Sequence, residues 1–249
     1  MRGISAIVIA RDAARSIGAC VGSLSCADEV IVVDSGSADG TAEAARQAGA
    51  RVVVEQWRGF GAQRQRSLSL AAHGWVLFLD ADERLTDGLR AAIAALPDDA
   101  PAADGYYLRR RNHFLGRPMR NTRWANDWQL RLFRKDAAAI APVAVHEGVT
   151  VRGRTARLDA GVIDHDTVPS LAAHLEKLNR YTTLEARQRY DAGQRFSTAK
   201  LLVSPTIEFW KLLLVLGAWR DGLRGLAIAA LSALYKLVTI GKLLELGRG

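Results

Sequence analysis

The first 100 residues alternate between short apolar runs and segments with a helical pattern, and this alternation restricts the fold more than any other feature. Ile4–Ala10, Glu29–Asp34 and 75–79 have the length and apolar content of buried strands. Segments such as 14–24 and 41–48 between them have helical patterns. Because such alternation is typical of a parallel sheet covered by helices, we expect an α/β fold.

The second half of the chain has a different pattern. Residues 106–111 and 129–134 alternate polar and apolar side chains, so the sheet is expected to become mixed there. A long amphipathic helix is predicted at 170–191. Two apolar helices are predicted at 201–216 and 226–246, separated by a segment that contains glycines.

Two carboxylates follow the apolar run that ends at Leu79. Asp80 and Asp82 stand one residue apart at the carboxyl end of a predicted strand, where open α/β sheets bind ligands. Alternate strand residues share a face, so both side chains can converge on one ligand. Mg²⁺ and Mn²⁺ bind carboxylates together with phosphate oxygens, which predicts a metal–diphosphate site. The alternative is a polar strand end that begins a turn.

A second polar cluster follows the run that ends at Asp34. Ser35, Gly36 and Ser37 add two hydroxyls and a flexible residue, a set that suits the edge of a base and the hydroxyls of a ribose. Such loops are also common turns. In the segment 59–66, glycines permit close backbone approach and arginines can reach a diphosphate.

The chain carries a net charge of +8, from 34 basic and 26 acidic residues. This balance suits a nucleic acid, an anionic membrane or a phosphorylated substrate. No pattern of a nucleic-acid module is found, so we expect no nucleic-acid partner. The alternative is a solvated basic surface. One basic segment is 195–249, with eight Lys/Arg against three Asp/Glu; the other basic cluster is Arg109, Arg110, Arg111, Arg117, Arg120 and Arg123.

Cysteine content and the start of the chain bear on the compartment. Cys20 and Cys26 provide no disulfide framework and no zinc spacing, which favours a reducing cytoplasm. The chain begins with a predicted strand and not with the apolar core of a signal peptide. We therefore expect a protein that stays in the cytoplasm.

The motifs together resemble those of inverting family 2 glycosyltransferases of the GT-A fold. Within that family, the chain is similar to the bacterial lipopolysaccharide-core β-1,4-glucosyltransferases. One departure is Ala13, where family members often carry glutamate. The family resemblance rests on Ile4–Ala10, 32–41, 59–66 and 76–84, and the closer one on 59–65, 80–84, 110–116, 131–133 and 145–147.

The resemblance implies a Rossmann-like mixed sheet flanked by helices, with a C-terminal helical appendage. Residues 1–195 would form the GT-A domain, divided into a nucleotide-sugar half at 1–100 and an acceptor half at 101–168. Residues 196–249 would form an apolar, basic helical tail.

The resemblance also implies roles for matching residues in binding a UDP-sugar and a divalent metal, Mg²⁺ or Mn²⁺. Asp34 would read the uracil ring and Arg64 would lie near the base or the diphosphate. Asp82 would be the direct metal ligand. A late histidine often completes the metal shell in this fold, which makes His165 a further candidate ligand; the alternative is a histidine that satisfies a hydrogen bond in the core. The remaining donor-site residues are Ser35, Ser37 and Asp80, the last also on the metal side.

Inverting transfer requires a base that deprotonates the acceptor hydroxyl. The candidates are Glu147 and Asp127. We favour Glu147, because it follows an apolar stretch and is flanked by His146, a setting that can raise or orient a carboxylate. The alternatives are a salt-bridged surface glutamate and an ordinary loop aspartate.

The tail is apolar but interrupted by Pro205, Glu208 and Lys211. A spanning helix needs ~20 mostly uncharged residues, so helices in the membrane interface fit better. The alternatives are packing on the sheet and self-association into a homo-oligomer. The expected protein is a peripheral enzyme at the cytoplasmic face of the inner membrane, which transfers glucose or another hexose to an anionic glycolipid of the lipopolysaccharide core. Other possibilities are a polyprenyl-phosphate or cell-envelope glycan acceptor, and an inactive nucleotide-sugar-binding protein.

Overall fold

The computed structural model describes residues 3–97, 102–122, 124–125, 127–140 and 149–247. The chain divides into two compact units. Unit 1 comprises Met1–Arg111 and Asp127–His165, and unit 2 comprises Asn112–Asn126 and Asp166–Gly249. The long amphipathic helix thus groups with the C-terminal helices, whereas the domain boundary at 195 remains a prediction.

Unit 1 is built on a mixed sheet with the order β3-β2-β1-β4-β8-β6-β11-β5. Strands β1 to β4 are parallel, and β8 pairs antiparallel with β4. A separate antiparallel pair is formed by β9 and β10. The predicted change from a parallel to a mixed sheet is confirmed. The strands are β1 Ile4–Ala10, β2 Glu29–Asp34, β3 Arg51–Val54, β4 Trp75–Asp80, β5 Glu83–Leu85, β6 Gly105–Phe114, β7 Arg117–Pro118, β8 Asp127–Arg134, β9 Ala138–Ile140, β10 Val149–Val151 and β11 Thr155–Val168.

Helices cover the parallel strands, as the alternation predicts. The segment 59–66 is mostly helical: a helix begins at Phe60 and ends at Leu68. The apolar segment 201–216 is an α-helix followed by a π-helical turn over Lys211–Val215. The helices are α1 Ile17–Gly22, α2 Thr41–Gln47, α3 Phe60–Leu68, α4 Asp87–Ala94, α5 Leu171–Asp191, α6 Thr198–Trp210 and α7 Leu223–Leu246.

The core of unit 1 lies on both faces of the sheet. Along β1, Ala6 and Val8 belong to one buried cluster and Ile7 to the other, because successive strand residues point to opposite faces. Leu77 and Phe78 divide in the same way on β4. Burial on both faces explains why these strands read as unbroken apolar runs and end abruptly at polar residues.

Unit 2 contains α5, α6 and α7, with a small core formed by Phe114, Met119, Val168 and Ile228. Polar contacts join α7 to α5. The Lys242 ammonium donates to the backbone oxygen of Asn179 at 2.7 Å. The Tyr235 hydroxyl donates to Glu185 Oε2 at 2.6 Å. Two polar side chains of the mostly apolar α7 therefore have hydrogen-bond partners on α5.

The length and composition of α7 would allow it to cross a membrane. It has a mean hydropathy of 1.6 over its most apolar stretch, of which 28% is buried, and among the described residues no other helix meets these criteria. Core helices of soluble proteins have the same properties, so length and composition alone do not place α7 in a bilayer.

Candidate active site

Strand register brings two predicted site residues to one edge of the sheet. Ala10 pairs with Asp34 on one side of β1, and Ile9 pairs with Asp80 on the other. Since all three strands are parallel, their carboxyl ends meet at this edge, where a doubly wound sheet binds its ligand. Asp34 and Asp80 therefore end the two strands that flank β1, at the same edge of the sheet.

The loop after β2 is held by Asp34, which is buried. Its carboxylate accepts hydrogen bonds from the hydroxyl and, at 3.2 Å, from the amide of Ser37. The Ser37 hydroxyl in turn accepts from the amide of Asp12 at 2.8 Å, which joins the loops after β1 and β2. The hydroxyl of Ser35 is buried without a hydrogen-bond partner among the described residues. Asp34 thus organises this rim of the site, and its contact with a uracil ring stays a prediction.

Position 13 takes part in the same rim through its backbone. The amide of Ala13 donates to the Thr41 hydroxyl at 2.7 Å, and Asp39 accepts from the amide of Ala14 at 3.0 Å. The first turn after β1 is therefore ordered against the loop after β2 without the glutamate common in the resembling family.

Asp80 is held between two arginines. Its two carboxylate oxygens lie 2.7 Å from Arg131 Nη2 and 3.0 Å from Arg64 Nη2. Burial by itself would raise the pKa of Asp80, but the charges of Arg131 and Arg64 outweigh it and hold that pKa well below its usual range. Asp80 therefore remains ionised while its oxygens are occupied by guanidinium groups.

Glu83 also belongs to the charged cluster around Asp80. It is fully buried and lies 2.7 Å from Arg131 Nη2 and 3.2 Å from Arg110 Nη1. Its other oxygen accepts from the backbone amide of Asp80 at 3.0 Å, which fixes the end of β4. Burial, together with the Asp80 carboxylate, raises the pKa of Glu83 although Arg131 opposes this shift. Glu83 and Arg131 thus fix the position of Asp80 through its backbone amide and its carboxylate.

Asp82 faces His165, and their role as metal ligands stays a prediction. The Asp82 Oδ2 and His165 Nε2 atoms are 3.4 Å apart. β11 pairs antiparallel with β5, and His165 stands opposite Glu83 in that register. The histidine is buried, whereas the side chain of Asp82 is 37% exposed. One carboxylate oxygen and one imidazole nitrogen therefore converge at the open edge.

These two groups fit a hard divalent cation that also binds substrate. In the part of the chain that is described, no three His, Cys, Asp or Glu side chains are arranged to hold a metal. Mg²⁺ usually takes one or two carboxylates and fills its other positions with phosphate oxygens and water. Asp82 and His165 would likewise supply only two ligands and leave the other positions to phosphate oxygens and water.

The two candidate bases differ in what the structure describes. Asp127 begins β8, and its oxygens lie 2.6 Å from Arg110 Nη2 and 2.5 Å from the Gln129 amide nitrogen. These partners occupy lone pairs that a base would offer to an acceptor hydroxyl. Glu147 and His146, like Arg123, lie outside the described residues, so the choice of base remains a prediction.

Sequence reasoning missed the supporting roles of Arg131, Arg110 and Glu83. Arg131 is only 4% exposed, inside the apolar run Leu130 to Phe133. A charge in a buried strand requires a partner of opposite charge, and that signal was available. Strand order determines which carboxylates become the partners of Arg131.

Comparisons with known proteins agree with this architecture. Residues 5–150 match the family described as Glycosyl transferase family 2. The lipopolysaccharide core biosynthesis glycosyltransferase LpsC of Rhizobium meliloti (strain 1021) is 32% identical over 248 residues, covering 97% of this chain and 92% of that protein. An uncharacterized glycosyltransferase of Rickettsia typhi (strain ATCC VR-144 / Wilmington) is 26% identical over 260 residues, covering 99% and 88%.

Among solved structures, one of the matches is glucosyl-3-phosphoglycerate synthase from Mycobacterium tuberculosis in complex with Mn²⁺, UDP and glucosyl-3-phosphoglycerate. It is 20% identical, covers 79% of this chain and 82% of that chain, and has a TM-score of 0.48. A likeness of this size says nothing about substrate.

Proposed function

Because the chain belongs to glycosyl transferase family 2, we propose that it transfers a hexose, with inversion, from a UDP-sugar to the core of lipopolysaccharide. The observation that carries the proposal is the pair Asp82 and His165, whose donor atoms are 3.4 Å apart at the carboxyl edge of the sheet. The assignment to the lipopolysaccharide core is supported by the likeness to LpsC along nearly the whole chain. Glucose is the favoured hexose.

Asp82 and His165 would hold Mg²⁺ or Mn²⁺. The ion would act as a Lewis acid that neutralises the departing diphosphate. Asp80 is a poorer direct ligand, because Arg131 and Arg64 already occupy its oxygens. We infer that Asp80 instead fixes Arg64 at the donor end of the site.

The nucleotide would bind along the rim formed by the loops after β1 and β2. Asp34, Ser35 and Ser37 would present polar groups to the uridine, and Arg64 would approach the base or the diphosphate. Prior ordering of these loops by hydrogen bonds lowers the entropy that is lost when a ligand binds. For the base we retain Glu147 first and Asp127 second, since Asp127 is engaged by Arg110.

An anionic acceptor is supported by a cavity in unit 2. Arg117, Arg120, Arg224 and Asp221 are among the residues that line a space of about 230 Å³. Asp221 is engaged by the backbone amides of this segment, including that of Asn121 at 3.0 Å. Three guanidinium groups suit the phosphates of a core glycolipid. A polyprenyl phosphate carries the same kind of charge and is the alternative acceptor.

We further propose a peripheral location on the cytoplasmic face of the inner membrane. Leu202, Trp210, Val215 and Trp219 in unit 2 are large apolar side chains that are more than half exposed. Large exposed apolar side chains concentrated in one segment of a chain favour contact with a membrane or another protein. A homo-oligomer that buries the same side chains is the alternative.

Product analysis tests the proposed reaction. The purified protein is offered a panel of UDP-sugars and core-lipid acceptors with Mn²⁺, and products are identified by mass spectrometry. We expect one hexose to be added to the core lipid, and no product with Asp82→Ala or with chelator. Asp87→Ala, at an exposed aspartate of α4, is the matched control and should remain active. Transfer only to polyprenyl phosphate, or UDP binding without transfer, would contradict the proposal.

A further inference from the structure

A cavity in unit 2 lies between the end of α5, the start of α6 and α7, and has a volume of about 360 Å³. Sites for small ligands commonly measure about 300–1,000 Å³. Its polar lining includes Arg189, Arg195, Lys200 and Lys236, and one carboxylate, Glu208. The lining therefore has an excess of positive charge and suits an anion.

Two of the four cations are held in place by contacts with residues of α5. Arg195 lies with its guanidinium carbon 4.1 Å from the centre of the Tyr190 ring and donates to the backbone oxygen of Tyr190 at 2.8 Å. Arg189 pairs with Glu185, whose other oxygen accepts from the Tyr235 hydroxyl at 2.6 Å. Burial would raise the pKa of Glu185, but these partners hold it below its usual value, so the pair stays charged. The charged wall is thus ordered before any ligand arrives.

The cavity also has an apolar rim that continues onto an exposed surface. Ile207 lines the cavity and is 59% exposed. Leu202 and Val203 on the same helix, and Trp210 at its end, are likewise exposed. A ligand whose anionic group occupies the cavity would therefore lie next to exposed apolar side chains. A lipid can bury hydrocarbon against these side chains, whereas a small soluble anion cannot.

We propose that this cavity binds the phosphate of an anionic glycerophospholipid in the bilayer, while the exposed side chains of α6 enter the interface. Charge complementarity with the cations and the continuity of the apolar rim identify this occupant. The inference rests on the proposed peripheral location and goes beyond it, because it replaces diffuse attraction by one defined headgroup site.

Vesicle flotation of the full-length protein tests the site. The matched pair is Lys200→Gln/Lys236→Gln in the cavity and Lys177→Gln/Arg187→Gln on α5 outside it, with equal changes in charge. A hydrogen bond to a charged phosphate contributes more than diffuse attraction, so loss of two should weaken binding to phosphatidylglycerol vesicles by about 100-fold or more. We expect this loss in the cavity variant and a much smaller one in the control. Equal losses would overturn the site in favour of diffuse attraction.

A third variant tests the space inside the cavity independently of its charge. Ser204→Phe places a ring in the cavity without changing the net charge, and we expect it to weaken binding to phosphatidylglycerol vesicles as well. Unaltered binding would contradict a headgroup inside the cavity. Soluble glycerol phosphate is the other arm: if it binds the protein as tightly as the vesicles do, the ligand is a free phosphate and the lipid assignment is wrong.

Transfer to a detergent-dispersed acceptor separates this inference from the proposed function. These variants should retain that activity, because none of the changed residues is assigned to donor or metal binding. Failure of the headgroup site alone leaves transfer intact and abolishes only the difference between cavity and control variants. Failure of the proposed function removes transfer from the unaltered protein.

Discussion

At the scale of single residues, the site depends on a buried arginine that serves two carboxylates. Arg131 Nη2 lies 2.7 Å from both Asp80 Oδ2 and Glu83 Oε1. Burial would lower the pKa of Arg131, but these two carboxylates raise it, so the guanidinium remains charged. Arg131 therefore helps to hold the half-buried Asp80 carboxylate in place and in its ionised form.

Arg131→Met should lower the free energy of unfolding by about 3 kcal/mol at pH 7, the lower end for a broken buried pair. Glu83 and Asp80 lose the arginine they share but keep Arg110 and Arg64. In the unaltered protein the pKa of Asp80 is depressed, so its contribution is present above its unfolded value near ~4 and is lost as pH falls through the folded value. Glu83, whose pKa is raised, has the opposite sign. The difference between variant and unaltered protein should therefore shrink as the pH falls below ~4.

Urea unfolding at several pH values measures this difference. The control is Arg134→Met on the same strand, where the side chain is 43% exposed and pairs with exposed Asp136. An exposed pair of this kind contributes ~1 kcal/mol or less. Similar losses for Arg131 and Arg134 would contradict the role assigned to the buried cluster.

The identity of the base is also a residue-scale question. Glu147→Gln should reduce turnover by about 10²–10⁴-fold while UDP binding, measured by calorimetry, is retained. Asp127→Asn should have the smaller effect, because both of its oxygens already have partners. An active Glu147→Gln beside an inactive Asp127→Asn would reverse the assignment.

At the scale of elements, the position of β11 determines where His165 lies. β11 passes α4 at Gly161, where an added Cβ would lie 2.9 Å from the Cα of Leu89 and closer still to its backbone nitrogen. Only glycine allows this approach. The packing of α4 on β11 thus helps to hold the register that places His165 beside Asp82.

Gly161→Ala should therefore destabilise unit 1 by about 1–3 kcal/mol, the usual cost of overpacking. It should also weaken metal-dependent UDP binding. Gly18→Ala in α1 is the matched control: its Cβ would meet no atom within 4 Å, and alanine is favoured over glycine in a helix by about 0.5–1 kcal/mol. Thermal unfolding and calorimetry measure both effects, and a stable Gly161→Ala protein would contradict the close packing.

At the scale of the whole molecule, basic charge and exposed apolar surface are concentrated in the C-terminal helices. We expect binding to anionic vesicles that salt weakens but does not abolish, because salt screens charges and not apolar contacts. Val215→Asp should remove the part that resists salt, since this side chain is 77% exposed. Val54→Asp, at an exposed valine of unit 1, is the control. Flotation at low and high salt measures both, and a protein that never floats would favour self-association.

Much of the fold could be predicted because it depends on local pattern. The strands β1, β2 and β4 are short apolar runs, and polar residues end them at Asp34 and Asp80. The alternation with helices implies a parallel sheet, which places those ends together. Element boundaries were predicted less well: the helical segment expected at 14–24 covers only Ile17–Gly22, and β5 was not predicted.

The layered α/β fold and the sheet edge that carries the candidate site follow from the hydrophobic period and the strand ends, which are local properties of the chain. The contacts of Arg131 with Asp80, 51 residues away, and of His165 with Asp82 follow from tertiary packing. The physical reason is that burial demands a partner for a charge without specifying which one. Strand order and register, formed through contacts distant in sequence, make that choice.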